Sequence, residues 1–319
     1  MGVGERGVAM DRTGEDDERA QSAIVDRARR LRNVLEPVAS NVYFAPEVHA
    51  AFQELGFGPG IGGEGCVTLP DLAGYYCSRA GCMGQVPGNV VVAAFGVFSP
   101  QLIVPAVERG WSIAGRDAVL AARLRGATAS LERLLGDPSG AERATELLRR
   151  AADAGALGGR FLFAGLRSLP WPPTVWGALW RAADTVREYR GDSHIAAWVA
   201  AGLDPVEAGL LTEVYYAMPT KRYHAGRGWT ERQLDDGLER LRRRGIVQGD
   251  PVAFTPAGRA LREAIEVATD RQMVPLLDAL GDDLDELVAL LEPWAVTIVT
   301  AGGFPSAITQ IPASWGRLT

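Results

Sequence analysis

The chain is nearly without lysine. Lys221 is the single one, every other cation of its 33 basic residues being arginine, and 39 acidic residues leave a net charge of −6. An acidic protein has no global attraction for a polyanion, so nucleic-acid binding would need a local basic patch. Cysteine is scarce as well. Cys66, Cys77 and Cys82 form an odd set, which fits reduced thiols better than a disulfide framework. A zinc site wants a fourth ligand and tighter pairs, so the three read as small apolar residues of a packed region and no metal is expected. No apolar run approaches the roughly 20 residues that span a bilayer; Val90–Phe98 lies between Pro87 and Pro100 and reads as a buried helix. The opening Met1–Asp17 has no apolar signal-peptide core, so the expected location is cytoplasmic, with residues 1–18 disordered and no membrane partner.

Catalytic signatures are missing too. Gly56–Gly65 holds six glycines and a proline, but neither the Walker pattern nor a Rossmann spacing follows, and it reads as a flexible loop or lid. No Ser-His-Asp order or metal-binding His-Glu pattern is present. An enzyme here is limited to acid/base chemistry without a cofactor, or to an organic cofactor with no local signature; the cofactor is unknown.

What the sequence does have is helical periodicity. Ala20–Val38 carries Ile24, Val25, Ala28, Leu31, Val34 and Leu35 at helical spacing and ends near Pro37. Pro46 opens a second helix, which places His49 at the surface. Asp117–Leu135 and Ala141–Ala156 are rich in Ala, Leu and Arg. Breaks fall at Gly158-Gly159 and Leu169-Pro170-Trp171-Pro172-Pro173, and Val175–Tyr189 forms the next helix. No strand pattern precedes residue 245.

From residue 193 the punctuation is sharper. Ser193 or Asp192 is placed to cap a helix Ile195–Ala201 that stops at Gly202. Asp204-Pro205 starts another, and Thr230 with Gln233 makes a capping box for a third, which Gly245 ends. Ile246-Val247, a turn at Gln248–Pro251 and Val252–Phe254 form a short hairpin, and Thr255-Pro256-Ala257-Gly258 opens a long helix. The expected fold is mainly α: a helical N-terminal body plus a winged helix-turn-helix-like domain with a short β-hairpin wing. Its divisions are 19–190 for the helical domain, 191–275 for the winged-helix-like domain, and 276–319 for C-terminal helices and an irregular tail.

Leu241-Arg242-Arg243-Arg244-Gly245-Ile246-Val247 followed by Phe254-Thr255-Pro256-Ala257-Gly258 resembles the recognition helix, wing and following helix of MarR-type winged-helix regulators. The wing is shorter and lacks a basic tip. Tyr43-Phe44-Ala45-Pro46-Glu47, Arg190-Gly191-Asp192 with His194, and Gly228-Trp229-Thr230 resemble a little-characterised actinobacterial group labelled as a helix-turn-helix family. That resemblance implies the two-part architecture and no particular ligand or reaction.

Three sets of residues are candidates for function. Arg190, Asp192 and His194 stand together at an expected helix start: His194 as general acid/base or ligand contact, Asp192 setting its tautomer, Arg190 holding an anionic group. As a plain cap they would do no chemistry. Tyr75, Tyr76 and Arg79 share a helix, and with Phe95, Phe98, Trp176 and Trp180 they line a ligand cavity or make an ordinary core. Lys221, Arg222 and His224 lie in the basic loop. The N-terminal half of the expected recognition helix carries Glu231, Asp235 and Asp236, which repel phosphates. The leading expectation is therefore a small-molecule-binding protein with a repurposed winged helix, extending to a cofactor-independent acid/base enzyme of specialised metabolism. The alternative is a MarR-like, ligand-responsive, DNA-binding transcriptional regulator. The partner is a small-molecule ligand, DNA is disfavoured by charge placement, and a homodimer is left open.

Overall fold

The computed structural model describes residues 4–60 and 71–303, with side chains from residue 19 onward except that of Ala225. Cys66 and the second half of the glycine-rich loop, residues 61–65, lie outside the described residues. The first helix, α1, runs Gly4–Ser40, so it begins well before the expected residue 19 and carries Pro37 inside it. A 3-10 turn (Asn41–Tyr43) leads to α2 (Pro46–Glu54). Next come α3 (Leu72–Ala80), a second short turn (Gly81–Met83), α4 (Gly88–Phe95), α5 (Pro100–Ile113), α6 (Arg116–Leu135) and α7 (Ala141–Ala154). Helix α8 (Phe161–Arg167) follows, a helix that the flanking Gly and Pro breaks concealed.

Helix α9 runs unbroken from Val175 to Ala200, 26 residues, with the Thr174 side chain accepting from the Gly177 amide at its start. Residues 190 to 194 are therefore helix interior. The expected cap at Asp192 or Ser193 does not form, and the division placed at residue 190 falls inside one rigid element. A single glycine such as Gly191 costs a helix only about 1 kcal/mol, which packing on both sides readily overrides.

The remaining elements are α10 (Pro205–Tyr215), α11 (Arg222–Ala225), α12 (Glu231–Arg243), β1 (Val247–Gln248), β2 (Ala253–Phe254), α13 (Pro256–Arg271), α14 (Val274–Leu280) and α15 (Asp283–Thr300). Here the local signals hold. Asp204 with Glu207 and Thr230 with Gln233 close reciprocal capping boxes, and Gly202 and Gly245 take the left-handed backbone that ends a helix. The hairpin is antiparallel, pairing Val247 with Phe254 and Gln248 with Ala253. Gly258 lets α13 start against the wing: a Cβ there would stand 1.9 Å from the Ile246 carbonyl oxygen.

Two cores adjoin along α9. Leu203, Leu210, Leu234, Leu238, Leu241, Val247 and Ile265 fill the winged-helix core. Leu276, Leu280, Leu287 and Leu291 of α14 and α15 pack back onto α1 and α7 in the main body core. Among the described residues no single helix is long and apolar enough to cross a membrane.

Candidate functional site

Helix α9 is the spine of the molecule, and one of its buried faces is polar. Arg181, Asp184, Thr185, Glu188 and Asp192 recur at helical spacing and all are buried. Buried charges persist only when paired, and most of these are. Arg79 of α3 donates to Glu188 through Nε (3.0 Å) and Nη2 (2.9 Å). Arg187 donates to Glu188 (2.9 Å) and to Glu36 (3.0 Å). Arg123 of α6 reaches Asp184 at 3.2 Å and the Tyr43 hydroxyl at 3.3 Å, and that hydroxyl donates to Glu188 at 3.2 Å. Burial pushes the Glu188 carboxyl up, but Arg79 and Arg187 overcome this and bring it down to about 2. For Asp184, burial outweighs Arg123 and the net direction is upward.

The trio Arg190, Asp192 and His194 does not meet as one site. Asp192 Oδ2 accepts from the Phe163 amide (3.0 Å), fastening the first turn of α8, and burial pushes its carboxyl up to about 7. Arg190 turns to α13, donating to Glu266 (2.8 Å) and Asp270 (3.1 Å). Both acceptors are buried, so its charge is already used there. His194 Nδ1 lies 3.1 Å from Thr269 Oγ1, and that hydroxyl gives its own proton to the Ile265 carbonyl (2.8 Å). The Nδ1 must therefore carry the hydrogen and donate. Thr269, not Asp192, sets the histidine tautomer. Desolvation, aided by nearby Arg262 and Arg190, pushes His194 down to about 3 against the pull of Glu266, keeping the ring neutral. Since the sequence reading took this segment for a helix start, it grouped side chains that point to different elements.

Tyr75, Tyr76 and Arg79 do converge with Phe95 and Phe98. The rings of Tyr75 and Tyr76 are 5.2 Å apart, and Tyr76 meets Phe98 edge-on at 5.5 Å. Two guanidinium groups flank the cluster: Arg79 over Phe95 at 4.4 Å and Arg227 over Phe98 at 4.6 Å. Trp180 stands apart, packed in the main core with its Nε1 donating to the Ala39 carbonyl (3.2 Å). Trp176 stacks edge-on against Trp294. His49, expected at the surface, is buried.

The basic loop crosses this aromatic cluster. Glu213 of α10, fully buried, accepts from the amides of Lys221 (2.6 Å) and His224 (2.7 Å). The Ser99 amide donates to the Arg227 carbonyl (2.9 Å), and Trp229 Nε1 to the Val97 carbonyl (2.9 Å). Lys221 Nζ is paired with Asp235, whereas Arg222 is exposed. His224 is wholly buried, stacked on Trp229 against Gly209, where a Cβ would strike the ring at 1.9 Å. Burial lowers its pKa to about 3. The Tyr76 hydroxyl and the Arg227 Nε are buried without a hydrogen-bond partner among the described residues. Ala217 and Lys221 (φ 53° and 70°) are the described non-glycine residues with left-handed backbone, and both belong to this loop. Arg227 belongs to the basic loop already visible in the sequence, whereas Glu213, 8 to 11 positions before the amides it accepts, carries no local signal.

The exposed face of α12 presents Glu231, Arg232, Asp235, Asp236, Glu239, Arg242 and Arg243. Arg240 pairs with Asp204 and Glu207, and Arg244 with Glu207 at 2.8 Å, so two arginines of the cluster close the domain on itself. The wing tip carries exposed Asp250 and no cation. Cys77 and Cys82 are buried free thiols, both pushed up to about 12 by desolvation and nearby carboxylates.

A short helix, a capped second helix and a two-stranded wing, built on a helical body, define a helix-turn-helix protein of mainly α class. A sequence model described as a helix-turn-helix family matches residues 28–305. The chain belongs to that family. Comparison with curated proteins and with solved structures returned no match.

Proposed function

We propose that this protein binds a small molecule beneath the loop 217–229, and that its winged helix serves as scaffold instead of a DNA reader. One observation carries the reading: two unpartnered buried polar atoms lie together on the inner side of this loop, the Tyr76 hydroxyl and the Arg227 Nε. Such atoms are uncommon in folded proteins and each costs about 1–3 kcal/mol, so their concentration marks a place that a ligand would satisfy. The strained backbone at Ala217 and Lys221 supports the same reading, since left-handed non-glycine residues cluster at ligand clamps and switch segments. The loop is then a cover, latched by Glu213 and seated on the rings of Tyr75, Tyr76, Phe95 and Phe98. A fitting ligand has a flat apolar ring for these aromatics and an oxygen acceptor for the Tyr76 hydroxyl and Arg227 Nε.

The charge pattern of α12 favours this over regulation through DNA. A recognition helix reads base edges from its N-terminal half, and here that half carries Glu231, Asp235 and Asp236. His194 and Asp192, held by Thr269 and by Phe163, do not form an acid/base pair, so the reading is a binding protein.

A thermal-shift panel of phenols and aromatic carboxylic acids tests it. A binder at a hundredfold excess over its Kd adds about 2.7 kcal/mol to stability. The expected result is a rise in Tm for the wild type that Tyr76→Phe and Arg227→Met each reduce. A binder whose effect survives in both variants would place its site elsewhere, and a panel without any binder counts against an aromatic acid as the ligand.

A further inference from the structure

Arg181 is the cation of the polar face of α9 that no carboxylate among the described residues pairs with. It is 5% exposed, yet it makes no hydrogen bond and no ion pair with any described residue, and its Nε is buried without a partner. Its neighbour three residues on, Asp184, is turned to Arg123 at 3.2 Å. The charged and titratable groups close enough to act on Arg181 are Asp184, Arg123 and Cys82. Cys82 is a protonated thiol, its pKa pushed up to about 12, and supplies no charge. Two guanidinium groups therefore share one carboxylate. Farther along the same face the charges match: Arg79 and Arg187 are answered by Glu188 and Glu36. One positive charge is left over, and it is on Arg181.

An unpaired ion in a protein interior costs several kcal/mol. A guanidinium also presents its donors as a planar fork suited to a carboxylate. The rings and arginines around it narrow the chemistry further. The Trp180 ring has its centroid 5.7 Å from the Arg181 guanidinium and 5.1 Å from that of Arg123. With a net surplus of one charge, a dianion would overfill the site. Of the Arg181 surface 5% remains accessible.

We infer that Arg181 is a binding site for a small monoanion, held by its guanidinium beside Arg123 and Asp184. The site stands on its own, separate from the loop 217–229 and its ligand. A carboxylate and a halide share the required chemistry. Acetate and chloride are therefore the two probes.

The experiment measures Tm of the full chain and of Arg181→Met and Arg181→Lys across series of sodium acetate and of sodium chloride. Once the site is saturating, each tenfold rise in anion adds about 1.4 kcal/mol to the wild type. The Tm of Arg181→Met is expected to show only the general salt effect, and without anion to equal or exceed that of the wild type, because an apolar side chain replaces an unanswered charge. Arg181→Lys keeps the charge but loses the fork, so its acetate response falls below that of the wild type. A wild-type excess with acetate alone assigns a carboxylate, and with chloride alone a halide. If Arg181→Met does not fold, the comparison of wild type with Arg181→Lys decides. Parallel responses of wild type and variant to both salts would overturn the site.

Discussion

Glu188→Ala is expected to lower the free energy of unfolding by about 3–5 kcal/mol, the range for removing one partner of a buried ion pair. The reason is the number of groups that depend on this carboxylate. Arg79 donates to it twice, Arg187 once, and the Tyr43 hydroxyl once. Arg79 would lose its ion-pair partner, and Arg187 would keep Glu36 and the Tyr43 hydroxyl. Glu188→Gln retains the shape and one acceptor oxygen and should fall between the two. The acid limb of the wild type carries the same contribution. Glu188 titrates at about 2 when folded, against a reference of 4.5. A carboxyl with a depressed folded pKa contributes stability that is fully present above its unfolded pKa and is lost as pH falls through the folded value. The contribution thus fades between about pH 4.5 and 2, and the difference between wild type and Glu188→Ala should shrink over that interval. Urea unfolding at several pH values reads both effects. A loss under about 1 kcal/mol at neutral pH would mean that the polar face of α9 is not held by this residue.

The second large effect is at Glu213. Its two carboxylate oxygens each accept a backbone amide of the loop, from Lys221 and from His224. Glu213→Ala would leave both amides unanswered, at roughly 1–3 kcal/mol each if they stay buried. The loop is more apt to lift than to bear that cost, because its backbone is already in the left-handed region at Ala217 and Lys221. Amide hydrogen exchange should therefore rise sharply over residues 217–229 while α1 and α9 stay protected. The aromatic-acid response of the proposed site should be lost with it. Unchanged exchange in the loop would show that Ser99 and Val97, which hold its far end through Arg227 and Trp229, suffice.

The winged unit was legible in the sequence because its signals are local. Asp204, Thr230, Gly245 and Thr255 each act within four residues, and each does in the fold what its residue type dictates. The aromatic set was legible for a similar reason: Tyr75, Tyr76 and Arg79 share one helix, and a short turn separates Phe95 from Phe98. The segment at 190–194 misled because glycine, aspartate and serine in succession mimic a helix start. The actual partners of Arg190, Asp192 and His194, namely Glu266, Asp270, Phe163 and Thr269, are 29 to 80 positions away. No periodicity encodes such distances. Glu213 and Arg181 were hidden for the same reason. A charged residue on an otherwise helical pattern reads as solvated surface until the neighbouring helices are in place.

The most direct test of a scaffold role for the winged helix is binding to a pooled genomic DNA library, followed by fluorescence anisotropy across a salt series. Acidic residues on the N-terminal half of α12 and at the wing predict no selected site and no binding even at low salt. A selected site whose affinity falls steeply with salt would contradict the account and make the protein a DNA-binding regulator.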